Sequence, residues 1–308
     1  MTIRIFIRAL ALSALCNLLL ACSQPTGSCV QPAGVTLQVL GSGGPIADDG
    51  RASSAYLVWV DGKARVMIDA GGGSFLRFGE AGARFEDLDF IGLSHLHTDH
   101  SAGLPALLKS GNFSDRDRPL PIAGPDGDGV FPGVDEFLTS LLDRDRGAYA
   151  YLSGFLDGSG NTPMLTTLEV AAGDAVSIWS GDNVAVDAMR VPHGIVPTVA
   201  FRVRAGDTTI VFGSDQNGSD PAFAEFARGA SILVMHMVVP EDVRGVGRRL
   251  HAPPSVIGEV AGHANPGKLV LSHFMARSLK DLEANVALVQ KGYSGSVTVA
   301  EDLSCVTP

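Results

Sequence analysis

Ser94-His95-Leu96-His97-Thr98-Asp99-His100-Ser101 is the stretch that decides how the rest of the chain is read. It holds three of the eight histidines in the 308-residue sequence. It follows a short apolar run at 90–94, which reads as a buried strand, and precedes a run with helical spacing of Leu104, Leu107 and Leu108. Alternate side chains of an extended segment share a side, so His95 and His97 point together. The turn into the helix then lets Asp99 and His100 face a second point. A loop at the C-terminal end of a strand is a common seat of chemistry in α/β proteins. Neutral imidazole and carboxylate are ligands that catalytic zinc accepts. One short loop therefore offers ligands for two metal ions.

Working outward, apolar runs at 35–40, 55–60 and 64–69 are bounded by Gly41-Ser42-Gly43-Gly44 and Gly71-Gly72-Gly73. Short apolar runs bounded by glycine read as buried strands. Residues 112–129, rich in Pro, Gly and Asp, read as turns, and 134–142 predicts a helix. A second set of strands is predicted at 166–171, 184–191, 199–204, 208–212 and 231–235. Helices at 254–263 and 279–290, with strands at 269–272 and 297–300, complete the pattern. Strands that are apolar throughout need cover on both faces. The prediction is an α/β fold of two stacked sheets with helices outside. No Pro- or Ser-rich linker interrupts 35–308, which reads as one domain. The glycine loop at 41–44 lacks the G-x-G-x-x-G spacing and a P-loop lysine, so it reads as a tight turn between strands.

The H-x-H-x-D-H arrangement of residues 95–100 resembles the hallmark of the metallo-β-lactamase superfamily. Leu40-Gly41-Ser42-Gly43-Gly44-Pro45, Arg51-Ala52-Ser53-Ser54 and Val66-Met67-Ile68-Asp69-Ala70-Gly71 are similar to the opening of its ribonuclease Z and arylsulfatase-like branch. The resemblance extends over about residues 35–301. It implies a four-layer αββα sandwich with the site at one edge, between the two sheets. It also implies the remaining ligands: His193 in Val191-Pro192-His193-Gly194, Asp215 in Phe212-Gly213-Ser214-Asp215, and His273 in Leu271-Ser272-His273-Phe274. On that pattern one metal takes His95, His97, His193 and Asp215. The other takes Asp99, His100, His273 and the bridging Asp215. The ions are two divalent cations, zinc by ligand type. Asp69, at a strand end, supports the site through hydrogen bonds.

Two such ions share a water, lower its pKa toward neutrality and clamp a scissile group. The implied activity is hydrolysis by a metal-bridging hydroxide, with Asp99 orienting the nucleophile while it ligates. In the ribonuclease Z branch a histidine beyond the bridging aspartate, helped by a glutamate, serves the leaving group. His251 in Leu250-His251-Ala252-Pro253 stands in that place, but Met237 replaces the usual glutamate and Pro253 the usual threonine. His236 and His263 read as structural. Asp215 follows His193 by 22 positions, room for two strands but not for the tRNA-gripping arm that ribonuclease Z commonly inserts there. The extra length falls between His100 and His193. Residues 110–165 read as a cap that selects substrate, contributing Phe113, Phe131, Phe137, Tyr149, Tyr151 and Phe155. The expected substrate is a small phosphodiester or related ester, not tRNA. Lactones, β-lactams and sulfate esters are the alternatives, and the bridging Asp215 weighs against a true β-lactamase.

The N-terminal segment carries a different message. Arg4 and Arg8 precede an apolar run at 9–21, shorter than the roughly 20 apolar residues of a membrane span and suited to a secretory signal. The run ends Leu19-Leu20-Ala21-Cys22, which resembles the lipobox of bacterial lipoproteins. Residues 1–21 are read as a signal, Cys22 as a lipidated anchor on the periplasmic side of the envelope, and 22–34 as a tether. Cys29 and Cys305 remain, and an even pair in an oxidising compartment suggests a disulfide. A net charge of −10 repels polyanions, so no nucleic-acid partner is expected. The expected partners are a small-molecule ester and the membrane. The oligomeric state, a homodimer included, stays open. Apolar content of 45% and charged content of 18% exclude a disordered chain.

Overall fold

Three strands, Val35–Gly41 (β1), Ala55–Val60 (β2) and Lys63–Ile68 (β3), form an antiparallel meander in which most side chains are buried. This is a computed structural model, and it describes residues 29–31 and 33–308. The signal segment, Cys22 and most of the tether lie outside the described residues. Phe90–Gly92 (β4), Leu120–Pro125 (β5) and Leu165–Val170 (β6) extend the meander with parallel pairings.

The second half repeats the plan. Val176–Gly181 (β7), Val184–His193 (β8), Val196–Ala205 (β9) and Thr208–Phe212 (β10) are antiparallel. Ile232–His236 (β11), Lys268–Ser272 (β12) and Ser296–Val299 (β13) then add in parallel. Cys305–Val306 (β14) returns to pair with β1, giving two seven-stranded sheets among the described residues.

Three apolar layers hold these sheets. Between them, Leu37, Tyr56 and Phe90 meet Phe201, Phe212 and Val234. The helices Leu104–Gly111 and Val134–Leu142 bury Leu107, Leu108, Leu138 and Leu142 on the outer face of the first sheet. Pro221–Phe226, Pro254–Ala264 and Leu282–Gly292 bury Phe223, Ile257 and Val289 on the outer face of the second. The result is the four-layer αββα arrangement.

Some elements depart from the sequence reading. Leu120–Pro125 was expected to be turn, because two prolines and a glycine make a poor strand signal. It lies inside the first sheet, between β4 and β6. Gly124 lets a helix pack closely on it, since a Cβ there would sit 2.9 Å from the Cβ of Val134. Residues 110–165 are therefore only partly a cap. Phe155 is buried and packs edge-on against Phe85, 6.3 Å between centroids. Phe113 and Tyr151 are 75% and 67% exposed. β7 was also missed, since as an edge strand it is mostly exposed and carries no apolar run.

The glycine loop is more than a tight turn. Gly43 bridges to both Ser53 and Phe274, and the Gly44 amide donates to the Phe274 carbonyl. The loop thereby joins the two sheets at the edge where their parallel strands end. Cys29 and Cys305 form a disulfide that ties the start of the described chain to β14. Among the described residues, no helix is long and apolar enough to cross a membrane.

Candidate metal centre

The loop after β4 carries His95 and His97 away from the first sheet, and β8 ends at His193 in the second. The His95 Nε2 lies 2.9 Å from the His97 Nδ1. His193 donates its Nδ1 proton to the Leu250 carbonyl at 2.9 Å, because a carbonyl only accepts. Its Nε2 is thereby turned to the site, where that atom is buried with no hydrogen-bond partner. Ligand nitrogens of His95, His97 and His193 all lie within 4.8 Å of one another.

A second set faces them. The short helix Thr98–Ser101 presents Asp99 and His100. His100 Nδ1 donates to Asp69 Oδ2 at 2.8 Å, which turns its Nε2 to the site, 2.9 Å from His273 Nε2. His273 Nε2 is 3.2 Å from Asp99 Oδ2 and 3.4 Å from Asp215 Oδ1. Asp215 stands between the sets, with Oδ2 3.8 Å from His100 Nε2, 3.7 Å from His193 Nε2 and 3.9 Å from His95 Nε2. All seven residues singled out in the sequence are thus brought to one place. Facing imidazole nitrogens at 2.9 Å repel unless a proton or a cation lies between them. That geometry, with the orphaned nitrogen of His193, fits a centre built for metal ions.

Strand ends set these positions. Asp69, Ser214 and His273 adopt left-handed φ of 59°, 57° and 57°, a conformation uncommon for residues other than glycine. Such turns persist where surrounding contacts over-determine them. Asp69 is held by the Ser94 amide at 2.7 Å and the Ser94 hydroxyl at 2.9 Å. Gly44 leaves room for the His273 ring, because a Cβ there would lie 2.8 Å from its Cε1.

His236 was read as structural from sequence, which undervalues it. It ends β11 and donates its Nδ1 proton to Asp215 Oδ1 at 2.7 Å. Its Nε2 meets the Tyr56 hydroxyl at 3.0 Å, and that hydroxyl is also 3.0 Å from Ser272 Oγ. The signal available in sequence was its place at the end of a strand lying between those that lead to Asp215 and His273. His263 is exposed on the helix Pro254–Ala264, away from this cluster. His251 follows the helix Val246–Leu250, and its Nδ1 lies 3.8 Å from Asp215 Oδ2 without a hydrogen-bond partner. Met237, in the place of the usual glutamate, is fully buried.

Burial opposes charge throughout the site, and neighbours decide each case. It holds His95 well below its ordinary range, with His100 adding to the effect. It likewise holds His236 at about 3 and His251 at about 4. At His100, Asp69, Asp215 and Asp99 overcome burial and raise the ring to about 9. At Asp215, the imidazoles of His273, His251, His236 and His100 overcome burial and keep the carboxyl well below the usual range. At Asp99, His273 and His100 do the same and hold it at about 2. A cavity of about 540 Å³ opens onto the cluster, walled by His97, Asp99, His193, Asp215, His251 and His273, with Arg277 beside them.

Residues 64–274 match the family described as the beta-lactamase superfamily domain, and the chain belongs to that superfamily. It is a hydrolase of this class with ribonuclease Z proteins among its homologues. Ribonuclease Z of Mycobacterium bovis is 29% identical over 280 residues, covering 87% of this chain and 96% of that protein. The metallo-beta-lactamase fold protein YhfI from Bacillus subtilis superposes with a TM-score of 0.69 at 20% identity, covering 89% of this chain and all 100% of that one. The short form of human tRNase Z superposes with a TM-score of 0.68 at 20% identity, covering 88% and 98%. These structures share the fold. The names ribonuclease Z and tRNase Z run against the expectation, drawn from net charge, that nucleic acid is not a partner.

Proposed function

We propose that this chain is a dinuclear metal-dependent hydrolase of small phosphodiesters. The observation that carries the reading is the convergence of four imidazoles, His95, His100, His193 and His273, on the buried carboxylate of Asp215, with His97 and Asp99 beside them. His95, His97 and His193 are suited to hold one divalent ion and Asp99, His100 and His273 a second, with Asp215 between them. Zinc matches this donor set. Two such ions, when bound, supply a nucleophilic water at neutral pH and polarise the scissile ester.

The chain's own residues do the rest. Asp99 accepts a hydrogen bond from the attacking water and orients it. Asp69 and His236 fix His100 and Asp215 in the required tautomer and rotamer. His251 is neutral in the free protein. The negative charge of a bound phosphodiester raises it, and the proton it gains passes to the leaving oxygen.

The names of the relatives favour a second reading, cleavage of RNA. Two features support the small substrate instead. β8, β9 and β10 are joined by tight turns at 194–195 and 206–207, so no arm projects between His193 and Asp215. The net charge of −10 disfavours a long polyanion. The reading also places the protein outside the cytoplasm, anchored at Cys22. Recovery in the membrane fraction, and release by Cys22→Ala, tests that part.

Turnover of bis(p-nitrophenyl) phosphate by purified protein tests the chemistry. It should vanish with chelator, return with zinc and be absent in Asp215→Ala. Full activity after exhaustive metal removal would overturn it. Cleavage of a precursor tRNA at higher kcat/KM than the small diester would transfer the assignment to the RNA reading.

A further inference from the structure

A second cavity, of about 190 Å³, lies against the metal centre and shares Leu96 and His97 with the larger one. Its other walls come from Pro125 at the end of β5, from Phe131 and Phe137, and from Val196 at the start of β9. No charged side chain lines it, and His97 is the one polar ring. The wall is set in place by its own contacts. Asp128 Oδ1 accepts from the amides of Val130 and Phe131 at 2.9 and 2.8 Å, fixing the bend that presents Phe131. The Phe137 amide donates to Gly133, which anchors the start of the helix Val134–Leu142. Asp126, next to Pro125, is paired with Arg190 of β8. A cavity of this order is large enough for a benzene-sized guest, about 150 Å³ being enough for benzene itself.

From this we infer a specificity subsite: the substrate carries a neutral, phenyl-sized apolar group close to its scissile centre, and that group seats between Phe131, Phe137 and Val196. The inference rests on the hydrolase reading and narrows its substrate class from small anionic esters to aryl or branched-alkyl ones. Apolar walls continuous with a metal-ligating ring place such a group within a few bonds of the reacting atoms. A ribose or a second phosphate would find no hydrogen-bond partner here except His97.

Phenylphosphonate and methylphosphonate present the same anionic head and differ in the group that would enter the cavity. Their dissociation constants for the zinc-loaded protein, measured by calorimetry, test the subsite without requiring turnover. Phenylphosphonate should bind at least about tenfold tighter, a discrimination ordinary for an apolar pocket. Phe137→Ala and, separately, Phe131→Ala should each reduce that ratio several-fold while circular dichroism reports an intact fold. Equal affinity in the unaltered protein, absence of binding by either compound, or a ratio that survives both substitutions would overturn the subsite. Failure of the hydrolase reading is visible separately, as phenylphosphonate binding with no turnover of bis(p-nitrophenyl) phosphate.

Discussion

At the scale of single residues, the centre depends on side chains that never face the cavity. Asp69 and His236 each use one hydrogen bond to orient a group of the cluster. Groups of this kind typically contribute 10–100-fold to metal affinity. Asp69→Asn and His236→Phe should therefore weaken zinc binding by about that factor, read by competition with a chromogenic chelator, while the protein stays folded. His100 gives a pH signature. Its ring is raised from an ordinary 6.5 to about 9 in the metal-free protein by Asp69, Asp215 and Asp99. A raised basic group stabilises the fold fully below its unfolded pKa and loses that contribution as the pH rises through its folded pKa. The chelated protein should lose thermal stability between pH 6.5 and 9, and His100→Gln should flatten that slope. Zinc should reverse the trend, because it needs the deprotonated ring. His251 has a kinetic signature instead. If it protonates the leaving oxygen, His251→Ala should cost more with a poor leaving group such as methoxide than with p-nitrophenolate.

At the scale of elements, β10, β11 and β12 run parallel and in sequence across the second sheet, and the chain delivers Asp215, His236 and His273 at their ends. Parallel neighbours in register bring side chains far apart in sequence to one edge. That register is why His236 was undervalued in sequence, while Asp215 and His273 were named only by family resemblance. The loop 95–100 was legible because its ligands are local. Gly44 tests the packing of these elements. A methyl group there would press on the His273 ring, so Gly44→Ala should lower bound zinc while leaving the sheet spectrum unchanged. β5 escaped detection because its residues satisfy a packing demand, close approach of the helix Val134–Leu142, rather than a strand preference.

At the scale of the molecule, two sheets press one apolar layer between them and close over another on each side. The disulfide encloses a loop of 276 positions. In the chain-entropy model so long a loop contributes about 5–6 kcal/mol. Cys29→Ser should lower the thermal midpoint by several degrees, and Cys305→Ser by the same amount, with the double variant no worse than either. Chelation should lower the midpoint as well, since an ion that binds only the folded state stabilises it by mass action.

The sequence by itself determined the class of fold and, through its family resemblance, which histidines and aspartates would meet and in what order they come along the chain. Those are carried by short motifs, by runs of apolar residues and by glycines at strand ends, all of which are local. Only the tertiary structure decided that Tyr56, His236 and Asp215 form one buried chain of hydrogen bonds. It alone showed that His251 Nδ1 lies 3.8 Å from Asp215 Oδ2, and that Phe131 and Phe137, alone among the expected cap aromatics, wall a cavity beside His97. The physical reason is the same in each case. These contacts join residues from separate strands and helices, and their distances exist only once both sheets have stacked.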